Sequence, residues 1–189
     1  MNRRALALKE TRQRILEATM QVHDQQGMAD AKWDDIARRA GVSLSTMYRH
    51  FPSNDELIAA CGEITFAEFP PPDPADAAAT FAGLKGIERL ERLVEEVYGY
   101  YEQTDPMMVM VRRDLHRSPA VAEGFEAIRA GIGAFILEAL QPLRVSESQA
   151  AAARAFLDDR VWSSFMDAGM HPSVAKREGV ALLRRATGL

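Results

Sequence analysis

Strand signals are almost absent from this chain, and their absence constrains its fold more than any other feature. The 189 residues show little alternation of β-branched and polar residues and no Asn-Gly or Asp-Gly hairpin turn. Ala, Leu, Glu and Arg are abundant instead, and these residues favour helices. We therefore predict an all-α protein of about nine to ten helices.

Proline, glycine and capping residues set the predicted helix ends. The predicted helices cover residues 7–26, 33–40, 44–50, 53–69, 75–81, 87–103, 106–117, 119–140, 146–167 and 172–187. Four prolines between Pro70 and Pro74 make the one clear break, because such a segment cannot continue a helix. We predict an N-terminal domain over residues 1–52, a connecting helix over 53–69 and a larger domain over 70–189.

Charge is distributed unevenly along the chain. The formal net charge is −4, yet residues 1–52 hold nine Lys and Arg against six Asp and Glu, and the remainder holds 14 against 21. A basic end on an acidic body suggests that this end meets a polyanion.

The composition also excludes several kinds of protein. A single cysteine, Cys61, rules out an internal disulfide and a multi-cysteine metal site. Neither His116 nor His171 is followed four residues later by a second metal ligand, and no nucleophile and base stand in a recognisable pattern. No apolar run approaches the roughly 18 residues that span a bilayer, and no signal-peptide core is visible. We expect a cytoplasmic protein, not an enzyme, with no metal, cofactor or membrane contact.

Residues 34–51 have the pattern of a helix, a tight turn and a second helix. Ala37 is small where the two helices cross, and Gly41 suits the positive φ that reverses the chain. Val42 and Met47 anchor the turn and the second helix in a small core. An exposed polar, aromatic and basic surface remains, formed by Ser45, Thr46, Tyr48, Arg49 and His50. Such a helix fits the major groove of DNA, whereas a helical hairpin without a DNA role is the competing interpretation.

The segment Ile-Ala-Arg-Arg-Ala-Gly-Val-Ser-Leu-Ser-Thr-Met-Tyr-Arg-His-Phe, residues 36–51, resembles the signature of the TetR/AcrR family of bacterial transcriptional regulators. Its pattern is approximately I-A-x-x-A-G-V-S-x-x-x-[LIM]-Y-x-[HY]-F, and Gly27, Leu57 and the segment from Thr11 match as well. The resemblance covers roughly residues 12–61. It implies a three-helix helix-turn-helix DNA-binding domain over 1–52 and a helical ligand-binding and dimerisation domain over 70–189.

The resemblance also implies roles at the matched positions. The predicted DNA-binding residues are Lys32, Trp33, Ser43, Leu44, Ser45, Thr46, Tyr48, Arg49, His50 and Asn54. Leu44 cannot hydrogen-bond a base but suits a thymine methyl group. Two positions depart from the family: Lys32 cannot cap the second helix as Thr or Ser would, and Asn54 replaces a usual Lys. Arg3 and Arg4 suit a flexible arm in the minor groove or a solvated terminus.

The larger domain is rich in Met and aromatic residues, most of which must form its core. The same mixture, with a few side chains that end in a polar group, suits a pocket for an apolar ligand. The resemblance implies a small apolar or aromatic effector. It also implies that the fourth helix couples the effector site to the DNA-binding domain. The predicted ligand-binding residues are Phe66, Tyr98, Tyr101, Met107, Met110, His116, Phe125, Phe135, Trp162 and Phe165.

The last two predicted helices carry apolar stripes. By resemblance they form a homodimer interface, and burial in a monomer core is the alternative. The predicted dimerisation residues are Phe156, Leu157, Val161, Phe165, Ala175, Leu182 and Leu183. Elsewhere, Gly131 and Gly133 predict close helix packing, and the adjacent Asp158 and Asp159 predict a solvated pair.

The leading hypothesis is therefore a regulator, most often a repressor in this family, that binds a palindromic operator in double-stranded DNA as a homodimer and is released by its effector. A helical protein that binds or processes a hydrophobic molecule without specific DNA binding is the first alternative. A protein-interaction module is the second.

Overall fold

The computed structural model describes residues 3–189, and every regular element in that range is helical. The helices are α1 (Arg3–Gln26), α2 (Trp33–Ala40), α3 (Leu44–His50), α4 (Asn54–Glu68), α5 (Ala77–Thr80), α6 (Ile87–Asp114), α7 (Pro119–Leu140), α8 (Glu147–Phe156), α9 (Asp159–Asp167) and α10 (Pro172–Thr187). Short 3₁₀ turns cover Pro74–Asp76 and Gln141–Leu143. The predicted all-α fold is confirmed. Over the described range, no helix is both long and apolar enough to cross a membrane.

The described chain divides into two compact units. One comprises residues 3–68 with Val109–Phe125, and the other Phe69–Met108 with Glu126–Leu189. The core of the first unit is apolar and is formed mainly by α1, α2, α3 and α4. Its most deeply buried side chains are Ile15, Leu16, Val22, Ile36, Met47, Phe51 and Leu57. The predicted functional division at residues 52 and 70 stays a prediction.

Helix α1 begins four residues earlier than the sequence suggested. Arg3 and Arg4 lie in its first turn and are exposed, so they form part of a helix instead of a flexible arm. The segment from Arg3 to Leu8 consists of good helix formers, which is the signal for this earlier start.

The predicted break before Pro106 is wrong. Helix α6 runs without interruption from Ile87 to Asp114 with Pro106 inside it. Proline removes one helical hydrogen bond, but a tertiary environment can hold the helix across it. Here one face of α6 stays buried on both sides of Pro106, at Val97, Tyr101, Met108 and Val111.

The predicted single helix over residues 146–167 is in fact two helices. Asp158 has an extended backbone (φ −69°, ψ 142°), and its carboxylate accepts a hydrogen bond from the Arg160 N–H, so it caps a new helix, α9. Its neighbour Asp159 is only 6% exposed, which corrects the prediction of a solvated pair. The cap at Asp158 was missed because aspartate is also common on exposed helix surfaces.

Close packing in the second unit depends on glycine at two places. A Cβ at Gly131 of α7 would overlap the carbonyl oxygen of Pro72, and one at Gly179 of α10 would lie 2.7 Å from a ring carbon of Tyr98. Gly133, two residues from Gly131, faces open space. The packing role predicted from sequence therefore belongs to Gly131 and not to Gly133.

Candidate nucleic-acid interface

The turn between α2 and α3 is built by its glycine and its capping serine. Gly41 has φ 64° and ψ 41°, a left-handed conformation that favours glycine. Ser43 is extended, and its Oγ accepts a hydrogen bond from the Thr46 N–H at 3.2 Å. These two residues end α2 and start α3 within three positions, which gives the helix-turn-helix geometry that residues 34–51 predict.

One side chain fixes α3 in the core and leaves the rest of this short helix at the surface. Met47 is fully buried among the residues of α1, α2 and α4. Ser45, Tyr48 and Arg49 are exposed, and Leu44, Thr46 and His50 are half-buried. The side chains predicted to read DNA therefore lie on the solvent side of α3.

Trp33 and Tyr48 form an aromatic pair on this surface. Their rings stack with centroids 4.6 Å apart and planes at 18°. Tyr48 remains 56% exposed, so only one of its faces is covered. Sequence reasoning placed both residues near DNA but did not find their contact, because they lie on different helices.

The start of α2 has an unusual cap. Lys32 precedes the helix and makes no capping hydrogen bond with its side chain, as predicted. Gln26, the last residue of α1, contacts this helix start instead: its Oε1 accepts from the Lys32 N–H at 3.2 Å, and its Nε2 donates to Asp35 at 2.8 Å. Lys32 itself is exposed.

His50 and Asn54 lie at the other end of α3. Burial, followed by the nearby charges of Arg49 and Arg12, holds the pKa of His50 below its ordinary value. His50 Nε2 and Asn54 Oδ1 are both buried atoms, and neither has a hydrogen-bond partner within the described chain. Burial disfavours the charged imidazolium, and the two guanidinium groups add to this effect because they disfavour a second positive charge nearby.

A groove of about 480 Å³ lies between the first half of α1 and α3. We call it the α1–α3 groove, and its lining residues are Arg4, Ala7, Leu8, Thr11, Arg14, Gly41, Val42, Ser43, Thr46, Arg49 and His50. Sequence reasoning predicted four of them as DNA-binding residues and suggested a DNA contact for Arg4, but it missed the rest of the wall that α1 contributes. The spacing of Arg4, Thr11 and Arg14 would have indicated it, because these residues fall on one face of a helix.

A buried carboxylate ties the end of α6 to the loop after α1 within the first unit. Asp114 Oδ2 accepts hydrogen bonds from the backbone N–H groups of Met28 (2.8 Å) and Ala29 (3.2 Å). Burial alone would raise the pKa of Asp114, but the bonds from Arg113 and from these two N–H groups hold it below its ordinary value. Arg117 adds a two-pronged ion pair with Asp30. Sequence reasoning did not find this network.

The predicted ligand-binding residues are divided between the two units. Phe66, Met110, His116 and Phe125 belong to the first unit, and Tyr98, Tyr101, Met107, Phe135, Trp162 and Phe165 belong to the second. In the second unit, Tyr98 packs edge-on against Trp162 at 5.3 Å and Phe165 at 6.4 Å.

The hydroxyl groups of the two predicted ligand-binding tyrosines are already hydrogen-bonded. Tyr98 donates to the carbonyl oxygen of Phe156 at 2.6 Å, and Tyr101 donates to that of Leu157 at 3.1 Å. Burial raises the pKa of both phenols well above their ordinary value, so both remain protonated donors. By contrast, Trp162 Nε1 and Tyr100 Oη are buried atoms without a partner in the described chain.

The predicted dimerisation residues differ in burial. Leu157, Ala175 and Leu183 are at most 1% exposed within one chain. The other four, Phe156, Val161, Phe165 and Leu182, are only half-buried. Among the seven predicted residues, these four are therefore the ones that keep surface for contact with a second copy.

Three comparisons with known proteins bear on this geometry. Residues 15–61 match the family model described as bacterial regulatory proteins, tetR family. The HTH-type transcriptional regulator TtgW of Pseudomonas putida, itself described as uncharacterised, is 46% identical over 56 residues, which are 30% of this chain and 42% of TtgW. The chain thus matches less than half the length of this relative.

Solved structures share the fold of this chain over nearly its whole length. A protein of Mesorhizobium loti described as a TetR-family transcriptional regulator superposes with a TM-score of 0.68 at 15% identity, over 100% of this chain and 98% of that one. The multidrug binding protein EbrR, solved in complex with proflavin, gives a TM-score of 0.57 at 20% identity, over 91% and 99%. The fold is shared with both.

Proposed function

We propose that this chain, whose residues 15–61 match the TetR family of bacterial regulatory proteins, is a transcriptional repressor that binds a palindromic operator as a homodimer and is released by a small apolar effector. Repression is the activity that the family resemblance most often implies. The protein would act by occupying DNA, without performing chemistry.

The observation that carries this proposal is the arrangement of α3. Met47 is fully buried, while Ser45, Tyr48 and Arg49 project into solvent from a helix held by the turn at Gly41. A short exposed helix of this kind, second in a helix-turn-helix, enters the major groove. Its polar and basic side chains suit base edges and phosphates.

The family resemblance implies a homodimer, and a two-fold dimer would suit a palindromic operator. Helices α8 and α10 pack together in the second unit, and Phe156 and Leu182 remain half-buried there. A two-fold interface between copies would direct two α3 helices toward successive major grooves, roughly 34–36 Å apart or somewhat more. The operator would then repeat one half-site in inverted orientation.

The effector belongs to the same proposal. EbrR, a neighbour in fold, was solved with proflavin, an observation about that protein alone. Here the buried atoms Trp162 Nε1 and Tyr100 Oη have no partner in the described chain, and they would suit a mainly apolar molecule with a hydrogen-bond acceptor.

Selection of bound sequences from random duplexes tests the proposal directly. We expect the full-length protein to enrich an inverted repeat, and Thr46→Ala with Tyr48→Phe to reduce its affinity. Equal, weak binding to every duplex would contradict the specific function. A thermal-shift screen of apolar aromatic compounds then tests the effector, because a ligand of the native state raises the melting temperature.

A further inference from the structure

The α1–α3 groove has two walls, and the proposed function uses only one of them. One wall is the turn and α3, with Ser43, Thr46 and Arg49. The other is α1, where Arg4, Leu8 and Arg14 lie on one helical face. Only the α3 wall belongs to the helix-turn-helix. On the α1 wall the sequence suggested a DNA contact for Arg4 alone, and Leu8 and Arg14 have no assigned role.

The charge of the groove is of one sign. Three guanidinium groups line it, from Arg4, Arg14 and Arg49, and the described lining residues include no carboxylate. Arg12 adds a fourth guanidinium near the groove, since together with burial and Arg49 it holds the pKa of the lining residue His50 below its ordinary value. Guanidinium groups bind phosphate oxygens with paired, directed hydrogen bonds.

Arg14 is held in place for such a contact. Its Nη1 donates to the carbonyl oxygen of Ala40 at 3.2 Å, which fixes the side chain against the end of α2. The side chain is otherwise exposed, and a guanidinium carries several further N–H donors. A fixed side chain loses less conformational entropy when it binds a ligand.

We propose that the α1–α3 groove binds the sugar-phosphate backbone of duplex DNA, with Arg14 as a phosphate ligand. The inference rests on the proposed function, because the groove is continuous with the surface of α3. Its volume of about 480 Å³ holds a phosphate with its adjoining sugars. Helix α1 would thereby add backbone contacts that position α3 without reading sequence.

Two exposed leucines on α1 provide a matched test of the groove. Leu8 lines it and is 45% exposed, whereas Leu6 is 37% exposed and does not line it. Leu8→Glu and Leu6→Glu make the same change of charge on the same helix, at positions where the fold tolerates a polar side chain. We expect Leu8→Glu to weaken binding to the selected operator roughly tenfold, and Leu6→Glu to change it by about twofold.

A second pair of variants examines Arg14. Arg14→Gln removes a groove cation, and Arg39→Gln removes one whose side chain bonds Gln21 and Gln25 instead. The affinity of full-length protein for the operator is measured across a salt series. We expect the slope of log affinity against log salt to fall by about 0.9 for Arg14→Gln and to stay unchanged for Arg39→Gln. Unfolding midpoints for all four variants verify that each one is folded.

The outcomes separate this inference from the proposed function. If the wild-type protein selects no duplex, the proposed function fails and the groove has no backbone to bind. If the wild-type protein selects an operator but the two variants of each pair behave alike, the groove does not bind the backbone and only this inference is overturned.

Discussion

The indole of Trp33 stacks on the phenol ring of Tyr48 with ring centroids 4.6 Å apart, joining the start of α2 to the exposed face of α3. Tyr48 nevertheless remains 56% exposed. The contact fixes the direction of a side chain that the proposed function places against DNA.

We predict that Trp33→Ala weakens operator binding by about 1 kcal/mol, because Tyr48 loses the ring that orients it. Trp33→Phe should restore most of the affinity, since it keeps a stacking partner. The measurement is a double-mutant cycle with Tyr48→Ala, read as binding free energy. A coupling of about 0.5–1.5 kcal/mol supports the positioning role, and strictly additive effects would contradict it.

The glycines of α7 give a second prediction. Gly131→Ala should destabilise the protein, because the added methyl group overlaps the carbonyl oxygen of Pro72. Gly133→Ala should be neutral or should stabilise the helix by up to about 1 kcal/mol, since that position faces open space. Denaturant unfolding of both variants tests the contrast, and equal effects would be inconsistent with this packing.

A third prediction concerns the buried carboxylate of Asp114. Asp114→Asn should lower the free energy of unfolding by about 1.5–3 kcal/mol, because the side chain loses its charge and half of its accepting capacity toward Met28, Ala29 and Arg113. Asp30→Asn, at the exposed partner of Arg117, is the matched control and should cost less, since solvent screens that pair. A loss at Asp30 as large as that at Asp114 would refute the ranking.

The pH dependence of stability follows from His23. Burial lowers the pKa of His23 from 6.5 to about 4, although Asp24 and Asp114 oppose the shift. Between these two values the unfolded chain binds a proton that the folded chain does not, so stability is lost as the pH falls from 6.5 to 4. The loss reaches at most about 3 kcal/mol.

The test is denaturant unfolding at several pH values. His23→Gln should flatten the dependence of unfolding free energy on pH between 4 and 6.5. His116→Gln, a change at an exposed histidine, should keep the wild-type dependence. Asp114 contributes in the same direction but at lower pH, below the ordinary carboxyl value of 3.8. An unchanged slope in His23→Gln would show that another group is responsible.

Local signals made most of the first unit predictable. Gly41 needs its left-handed backbone, Ser43 caps the next helix and Met47 is the one apolar residue in the middle of α3, so α2 and α3 begin and end where the sequence places them. Each of these signals depends on neighbours within a few positions. The helices that start at Pro119 and Pro172 were predictable for the same reason.

Errors arose where distant residues decide the outcome. Pro106 continues a helix because the buried face of α6 outweighs one lost hydrogen bond, and no local pattern reveals that burial. Asp158 caps α9, but the residues around it carry no local signal that one helix ends and another begins there. The stack of Trp33 on Tyr48 and the α1 wall of the groove likewise require helices to be placed beside each other first. The predicted DNA-binding, ligand-binding and dimerisation roles stay predictions.

The hydrogen bonds of Gln26 have a consequence for how such a protein can evolve. Gln26 bonds the Lys32 backbone N–H and the Asp35 carboxylate, and neither contact uses the side chain of Lys32. Because the exposed Lys32 side chain makes no capping bond, we expect substitutions at residue 32 to cost little stability. Single substitutions at residue 32 could therefore change operator affinity during evolution while the fold of the first unit stays the same.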